Sequence, residues 1–515
     1  MTRPDLVPVL DRVAQQRPSE AHRMSFVRLD GSRSYPLSEI HDRAMRLAGQ
    51  LAALGLSAGD RIGVMAANSL EWVLLDLAAV RLRLVVAGFE PAKFAAEPDL
   101  VRRYQLALLF TDRPVPDSDG PAADRVRSID EVAGLIEAAA QPLPEPRDYA
   151  DDEVLTLKFT SGSSGQPKGL AATAGSVNSS ISAVQAWFGH GKQPDGDDLF
   201  LFLPLSLVQQ RYWVYSAMCF GHDLTISTYE AAFPVLRTAR PTVVMGVPGF
   251  YETARKHIEA QARRARPDES AEQAIGRCAR ALFGDRIRYL WTGSAPARPD
   301  TLRFYADAGL PIYEGYGLNE TCIVAKNHPG AHRPGSVGQV LPGKQVLIDT
   351  DGVISVRSDF PVNHAYAYSA PGESERVFGP DGVVRTGDLG YLDSDGFLYI
   401  RGRADDVIVL DNGKKVIVAP IEQQLKASPA IAECVLFCPR QTQLVAVVSP
   451  ATEPADEAAI HAHVAAANSQ LARDEQIARV VLAESRFTVD NGMLSEQFKP
   501  LRLQILQRYR AQIDA

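Results

Sequence analysis

The chain lacks most of the features that assign a protein quickly. Five cysteines in 515 residues, at positions 219, 278, 322, 434 and 438, show no zinc-ligand spacing. Cys434 and Cys438 stand four apart beside a strand-like run, and all five read as buried, reduced thiols of a cytoplasmic protein rather than a disulfide framework. Positive charge is not in excess: a net charge of −8 leaves no electrostatic footprint for nucleic acid. No apolar run is long enough to span a bilayer, since Trp72–Phe89 and Leu199–Phe220 are each broken by Asp, Arg or Gln. The first residues, M-T-R-P-D-L-V-P-V-L-D-R, contain no apolar signal core. Aromatic residues amount to only 8%, and there is no internal repeat or low-complexity tract. The G-x-x-x-x-G-K-[ST] loop of P-loop nucleotidases is missing as well.

What remains is a soluble globular composition, 46% apolar and 23% charged, on a chain long enough to need several subdomains. Its most informative stretch is Thr156–Gly169, T-L-K-F-T-S-G-S-S-G-Q-P-K-G. Small hydroxylated residues and glycines follow an apolar run and end on a Lys-Gly step. Such a loop can fold its N–H groups and hydroxyls around an anion, with Lys168 as a point charge at the rim. By itself it could equally be a flexible linker.

Around this loop the chain alternates helical and strand-like patterns. Leu37–Leu54 and Asn68–Arg83 have helical spacing, whereas Arg61–Ala66 and Leu84–Phe89 read as buried strands. Ser176–Phe188 and Arg255–Ala281 are expected helices; Leu199–Leu203, Thr242–Gly246 and Arg286–Trp291 are expected strands. From Gly335 to Gly402 the texture turns to short strands with D-G and P-G turns, as in a small antiparallel subdomain. The segment from about Ala404 to Ala515 reads helix, strand, strand, helix, strand, helix. The expected class is α/β: a large N-terminal domain of layered α/β sheets plus a small β subdomain, followed by a smaller α+β domain.

Four further stretches stand in order behind the glycine loop: Y-E-G-Y-G-L-N-E-T (Tyr313–Thr321), R-T-G-D-L-G-Y-L-D (Arg385–Asp393), I-R-G-R-A-D-D-V-I-V-L-D-N-G-K-K-V (Ile400–Val416) and N-G-M-L-S-E-Q-F-K-P-L-R (Asn491–Arg502). Each alone would pass as a polar turn. Together they resemble the adenylate-forming superfamily of acyl-CoA synthetases, peptide-synthetase adenylation domains and luciferases, over nearly the whole chain. R-P-T-V-V-M-G-V-P-G-F-Y-E (Arg240–Glu252), T-G-S-A-P-A-R and F-K-P-L-R are most similar to bacterial long-chain acyl-CoA synthetases.

The resemblance implies an N-terminal AMP-binding domain over 1–404 and a mobile C-terminal lid over 405–515, hinged at Asp405. It implies ATP and Mg²⁺ as requirements and CoA as the expected acceptor of the activated acid. In its terms Thr160, Ser161, Gly162, Ser163, Ser164, Gly165 and Lys168 would grip the β- and γ-phosphates. Glu320 would hold Mg²⁺. Tyr316 and Gly317 would lie against adenine beside Gly293, Ser294 and Ala295. Asp388 would take the ribose hydroxyls, with Arg403 near ribose and phosphate. Lys499 would come from the lid to neutralise charge building on the α-phosphate and the attacking oxygen.

The departures from the family pattern lie on the acid side. Leu207 stands where relatives commonly carry His or another polar or aromatic residue, followed by Gln209, Gln210 and Arg211, which could receive a polar group or serve as structural hydrogen-bonders. Asn319 replaces the usual Thr before Glu320, where it still donates to the α-phosphate. Asn412 replaces a common Gly on the pantetheine side. Trp213 and Trp291 could line the acid pocket or simply pack in the core. Two enzymatic readings follow: acid adenylation with thioester formation on CoA or a carrier-protein thiol, or activation of nitrite with diazotisation of an aromatic amine. A nucleotide-binding regulator is a third, and Lys499 argues against it, since a pure binder needs no lid lysine.

Overall fold

The computed structural model describes residues 6–91, 94, 98–114, 123–161, 167–189, 192–193, 196–264, 269–412, 414–495 and 498–515. Among them, a nine-stranded sheet and a six-stranded sheet dominate the large N-terminal domain. The centre of the nine-stranded sheet is parallel, in the order Ile312–Leu318, Tyr289–Thr292, Val243–Gly246, Asp198–Leu201, Asp223–Ile226 and Arg23–Arg28. Antiparallel strands close both of its edges. In the six-stranded sheet, Arg61–Met65 and Val85–Gly88 run parallel beside Val154–Ser161, and the last pairing, Val154–Ser161 with Pro167–Thr173, is an antiparallel hairpin. That hairpin carries the glycine loop at its tip. One continuous apolar core links both sheets through the helices Leu37–Ala53, Leu70–Leu82, Ala174–Phe188 and Val208–Phe220.

Local sequence explains several boundaries. Ser69 caps Leu70–Leu82 by accepting from the Trp72 N–H, and Thr173 caps Ala174–Phe188, which Gly189 ends in a left-handed turn. The expected helix over Arg255–Ala281 is two helices, Pro248–Ala262 and Ala271–Phe283; the second starts at a capping box between Ser270 and Gln273. A four-stranded antiparallel sheet, Lys344–Ile348, Val353–Ser358, Val383–Leu392 and Leu398–Arg403, fills the expected β region. The smaller C-terminal domain opens on a hairpin, Val407–Val409 with Lys415–Ile417, that the expected order of elements did not include. A three-stranded sheet with helices Val418–Leu425, Glu457–Asn468 and Arg502–Asp514 follows. Among the described residues no helix is long and apolar enough to cross a membrane.

Candidate active site

The site gathers where Ile312–Leu318 turns back into Cys322–Lys326. A bulge between Tyr316 and Gly317 interrupts this hairpin, and bulges re-aim side chains. Only glycine fits at 317, because a Cβ there would sit 2.0 Å from the Cys322 carbonyl oxygen. The bulge sends the Tyr316 hydroxyl to donate to Asp388 Oδ2 at 2.5 Å. Arg403 closes the other side of that carboxylate, donating to Oδ1 at 3.1 Å and to the Thr386 carbonyl at 2.8 Å. Gly387, with φ +70°, lets the chain turn under the guanidinium, which a Cβ would crowd at 2.8 Å. Burial raises the Asp388 carboxyl above its ordinary pKa, while Tyr316 and Arg403 pull it down.

Lys499 reaches this cluster from the C-terminal domain. Its N–H donates to Ser495 Oγ at 3.1 Å and its carbonyl accepts from the Ser495 N–H at 2.8 Å, so a tight turn presents the side chain. The residue is exposed, yet partial desolvation lowers its pKa, the Asp388 charge opposes that, and Arg403 reinforces it. Next to it, Phe498 approaches Gly249 and lies 6.3 Å, ring to ring, from Tyr229 of the N-terminal domain. Arg502 anchors the turn by a bidentate pair with Glu422, both contacts at 2.7 Å. Asp405, the expected hinge, is exposed and accepts from Arg403 Nε at 3.0 Å.

On the phosphate side, the described part of the loop is its stem. Thr160 and Ser161 finish one strand, and Gly162, Ser163, Ser164 and Gly165 lie outside the described residues. Lys168 does not stand free at the rim: it pairs with Glu373 at 3.0 Å, both largely buried, and lies 5.3 Å from the Tyr366 ring. The Tyr366 hydroxyl donates to Glu320 Oε1 at 2.7 Å. Glu320 also faces Lys158, a lysine the motifs did not flag. Lys158 is 3% exposed, and burial drives its pKa down to about 8 against the attraction of Cys322 and Glu320. Asn319 stands half-buried in the turn before Glu320. Among the described residues no three His, Cys, Asp or Glu side chains cluster as a metal cage.

A cleft of about 130 Å³ joins Gly293, Ser294, Tyr316 and Gly317, which were expected to face the nucleotide, to Gln210, Trp213, Trp291 and Lys326. Ala295 stands half-buried just beyond the Gly293–Ser294 turn. Tyr251, from the R-P-T-V-V-M-G-V-P-G-F-Y-E stretch, fixes the strand carrying Trp291 by donating to its carbonyl at 2.7 Å. Two expectations need correction. Leu207 does not line the cleft; it precedes helix Val208–Phe220 as its N-cap. Arg211 points into the core instead, donating to Asp76 Oδ1 at 2.7 Å and to Thr156 Oγ1, while Tyr215 donates to Asp76 Oδ2 at 2.7 Å. Consecutive helical residues point about 100° apart, so Gln210 faces the cleft and its neighbour Arg211 the core.

Residues 10–356 match the AMP-binding enzyme family, and residues 405–515 match the AMP-binding enzyme C-terminal domain. The chain belongs to the AMP-binding enzyme family. This AMP-binding enzyme is 28% identical over 541 residues to the long-chain-fatty-acid–CoA ligase FadD15 of Mycobacterium bovis, covering 90% of this chain and 89% of that protein. It is 26% identical over 423 residues to a 2-succinylbenzoate–CoA ligase of Bacillus licheniformis, covering 79% and 82%. Among solved structures, ATP-bound MatB from Rhodopseudomonas palustris superimposes with a TM-score of 0.80 at 22% identity, over 98% of this chain and 99% of that one. The o-succinylbenzoate CoA synthetase MenE of Bacillus subtilis, in complex with ATP and magnesium ion, gives 0.74 at 21% identity, over 96% and 98%. AMP-binding enzymes with CoA-ligase relatives thus share this α/β architecture of a large and a small domain.

Proposed function

We propose that this enzyme activates an acid by adenylation and transfers the activated acyl group to a thiol, that of CoA. A carboxylate oxygen attacks the α-phosphorus of ATP, the bond to the β-phosphate oxygen breaks, and pyrophosphate leaves. The thiolate of the acceptor then attacks the acyl carbon and AMP departs. The observation that carries the reading is Lys499, delivered from the small domain to the Asp388–Arg403 cluster beside the cleft at Tyr316 and Gly317. A pure nucleotide binder has no use for a cation brought there from a second domain.

In this reading Asp388 exchanges its Tyr316 and Arg403 bonds for ribose hydroxyls, Tyr316 and Gly317 flank the adenine with Gly293, Ser294 and Ala295, and Arg403 stays near the phosphate. Asn319 donates to the α-phosphate. Thr160 to Gly165 and Lys168 hold the departing pyrophosphate, with Lys168 released from Glu373. The donor set suits Mg²⁺: Glu320 is a half-buried carboxylate with no cage of further ligands among the described residues, and it would hold the ion together with phosphate oxygens. Bound there, Mg²⁺ supplies charge neutralisation on the phosphates. The domains divide at 404/405, with Asp405 as the hinge on which the lid turns to expose its Asn412 side for the thiol.

Asn319 before Glu320 and Asn412 in the C-terminal domain, each larger than the Thr and Gly common in relatives, support a second reading, in which nitrite is adenylated and diazotises an aromatic amine. Pyrophosphate release with short carboxylic acids, fatty acids and nitrite, each offered CoA or an arylamine, separates the two. The expected result is turnover with a carboxylic acid and CoA. Turnover restricted to nitrite plus arylamine would replace the thioester reading, and none with any acid would overturn adenylation.

A further inference from the structure

Lys326 ends the strand Cys322–Lys326 and is 94% buried, being 6% exposed. Its ammonium lies 2.9 Å from the centroid of the Trp291 ring and 5.7 Å from that of Phe188. Among the described residues it has no carboxylate partner and no hydrogen bond, and only burial acts on its pKa, lowering it well below the ordinary lysine value. An ammonium out of water without an anion is costly, and aromatic faces offset only part of that cost. A lysine kept in such a place invites a negative group from outside the chain.

The surroundings point the same way. Lys326 borders the cleft, and so do Ser180, Gln210 and Thr292, whose Oγ, Oε1 and Oγ1 atoms are buried without a hydrogen-bond partner among the described residues. Buried polar atoms are normally satisfied, and here three without a partner belong to residues that line the cleft beside Lys326. Trp213 and Trp291, with ring centroids 5.1 Å apart, give it an aromatic wall. The nucleotide side of the same cleft is marked by Gly293, Ser294, Tyr316 and Gly317. Lys326 pairs instead with Gly315 across the hairpin, before the bulge.

We propose that this pocket selects a short acid carrying a second carboxylate, which Lys326 holds at the end away from the carboxyl that is adenylated. Ser180 and Thr292 donate their hydroxyls to the same carboxylate, and the tryptophans cover the body of the acid between its two ends. The fate of the first carboxyl rests on the adenylation reading above; binding of the second does not.

The test compares matched acids: benzoate against isophthalate and terephthalate, and butyrate against glutarate. Each is assayed by ATP–pyrophosphate exchange and, without nucleotide, by quenching of tryptophan fluorescence, in the wild-type chain and in Lys326→Met. In the wild type, at least one dicarboxylate is expected to exceed its monoacid by about 10²-fold in kcat/KM, the loss typical of a buried charge-assisted contact. In Lys326→Met that ratio is expected to collapse towards one, with a melting temperature no lower than wild type. A wild type that treats both members of every pair alike, or a Lys326→Met that keeps the ratio, overturns the inference and leaves adenylation standing. Lys326-dependent quenching by a dicarboxylate without any exchange upholds the pocket and overturns adenylation. Neither quenching nor exchange overturns both.

Discussion

Two cations lie buried near the acid end of the cleft, and they differ in one respect. Arg211 is 1% exposed and its charge is matched: Asp76 neutralises it, Thr156 accepts from it, and Tyr215 donates to the same carboxylate. Lys326 is 6% exposed and has only aromatic faces. Arg211 ties helix Val208–Phe220 to helix Leu70–Leu82 and strand Val154–Ser161, so its charge is consumed in making the fold. The charge of Lys326 is left over. A charged side chain in a protein interior therefore says little about binding until its partners are counted. Asp388, Arg403 and Lys499 make a third case, in which the charges are matched across a domain boundary and can be re-matched by a ligand.

The comparison is broken most forcefully at Asp76. Asp76→Ala strands the Arg211 guanidinium in the core, and about 3–5 kcal/mol of stability is expected to go, read as a drop in the denaturation midpoint. Lys326→Met removes an unpartnered charge, so its midpoint should hold or rise. Equal losses in the two variants would mean that Lys326 is structural too. Next in size is the movable charge. Lys499→Ala should slow adenylation by about 10²–10³-fold with ATP affinity nearly unchanged in equilibrium binding; normal pyrophosphate release would remove Lys499 from the chemistry. The smallest effect is expected at Tyr316→Phe. Losing one hydrogen bond to Asp388 is worth about 1 kcal/mol, so thermal stability should fall slightly while ATP still binds. A large fall would show the Tyr316–Asp388 pair to be as structural as Arg211–Asp76.

Much of the fold was legible in the chain. Apolar runs such as Arg61–Ala66 and Leu84–Phe89 became parallel strands, Arg61–Met65 and Val85–Gly88, because strands covered on both faces must be continuously apolar. The helices Leu37–Ala53, Leu70–Leu82 and Ala174–Phe188 appear within two residues of their expected ends. The hairpin at 407–417 escaped because V-I-V-L and K-K-V are too short for their period to declare itself. In the site, ordered motifs pointed to Glu320, Asp388, Arg403 and Lys499 because each stands in a short stretch of distinctive sequence, with glycines close by for the first three. Lys326 and Lys158 carry no such mark. A lysine ending C-I-V-A-K looks like the polar edge of a strand, and only the helix Ala174–Phe188 and Trp291, distant in sequence, bury it. Arg211 was misjudged for the converse reason: its partner Asp76 is 135 positions away.

The ion pair between Lys168 and Glu373 gives the glycine hairpin a resident rival. Any polyphosphate that takes the lysine must first displace a carboxylate already in place, so what is observed as affinity is the difference between two anions. On the proposed reaction, the same carboxylate would reclaim the lysine as pyrophosphate leaves, so the pairing that weakens capture would quicken clearance. The stem of the hairpin is held besides by Gly169, whose N–H donates to the Tyr368 carbonyl.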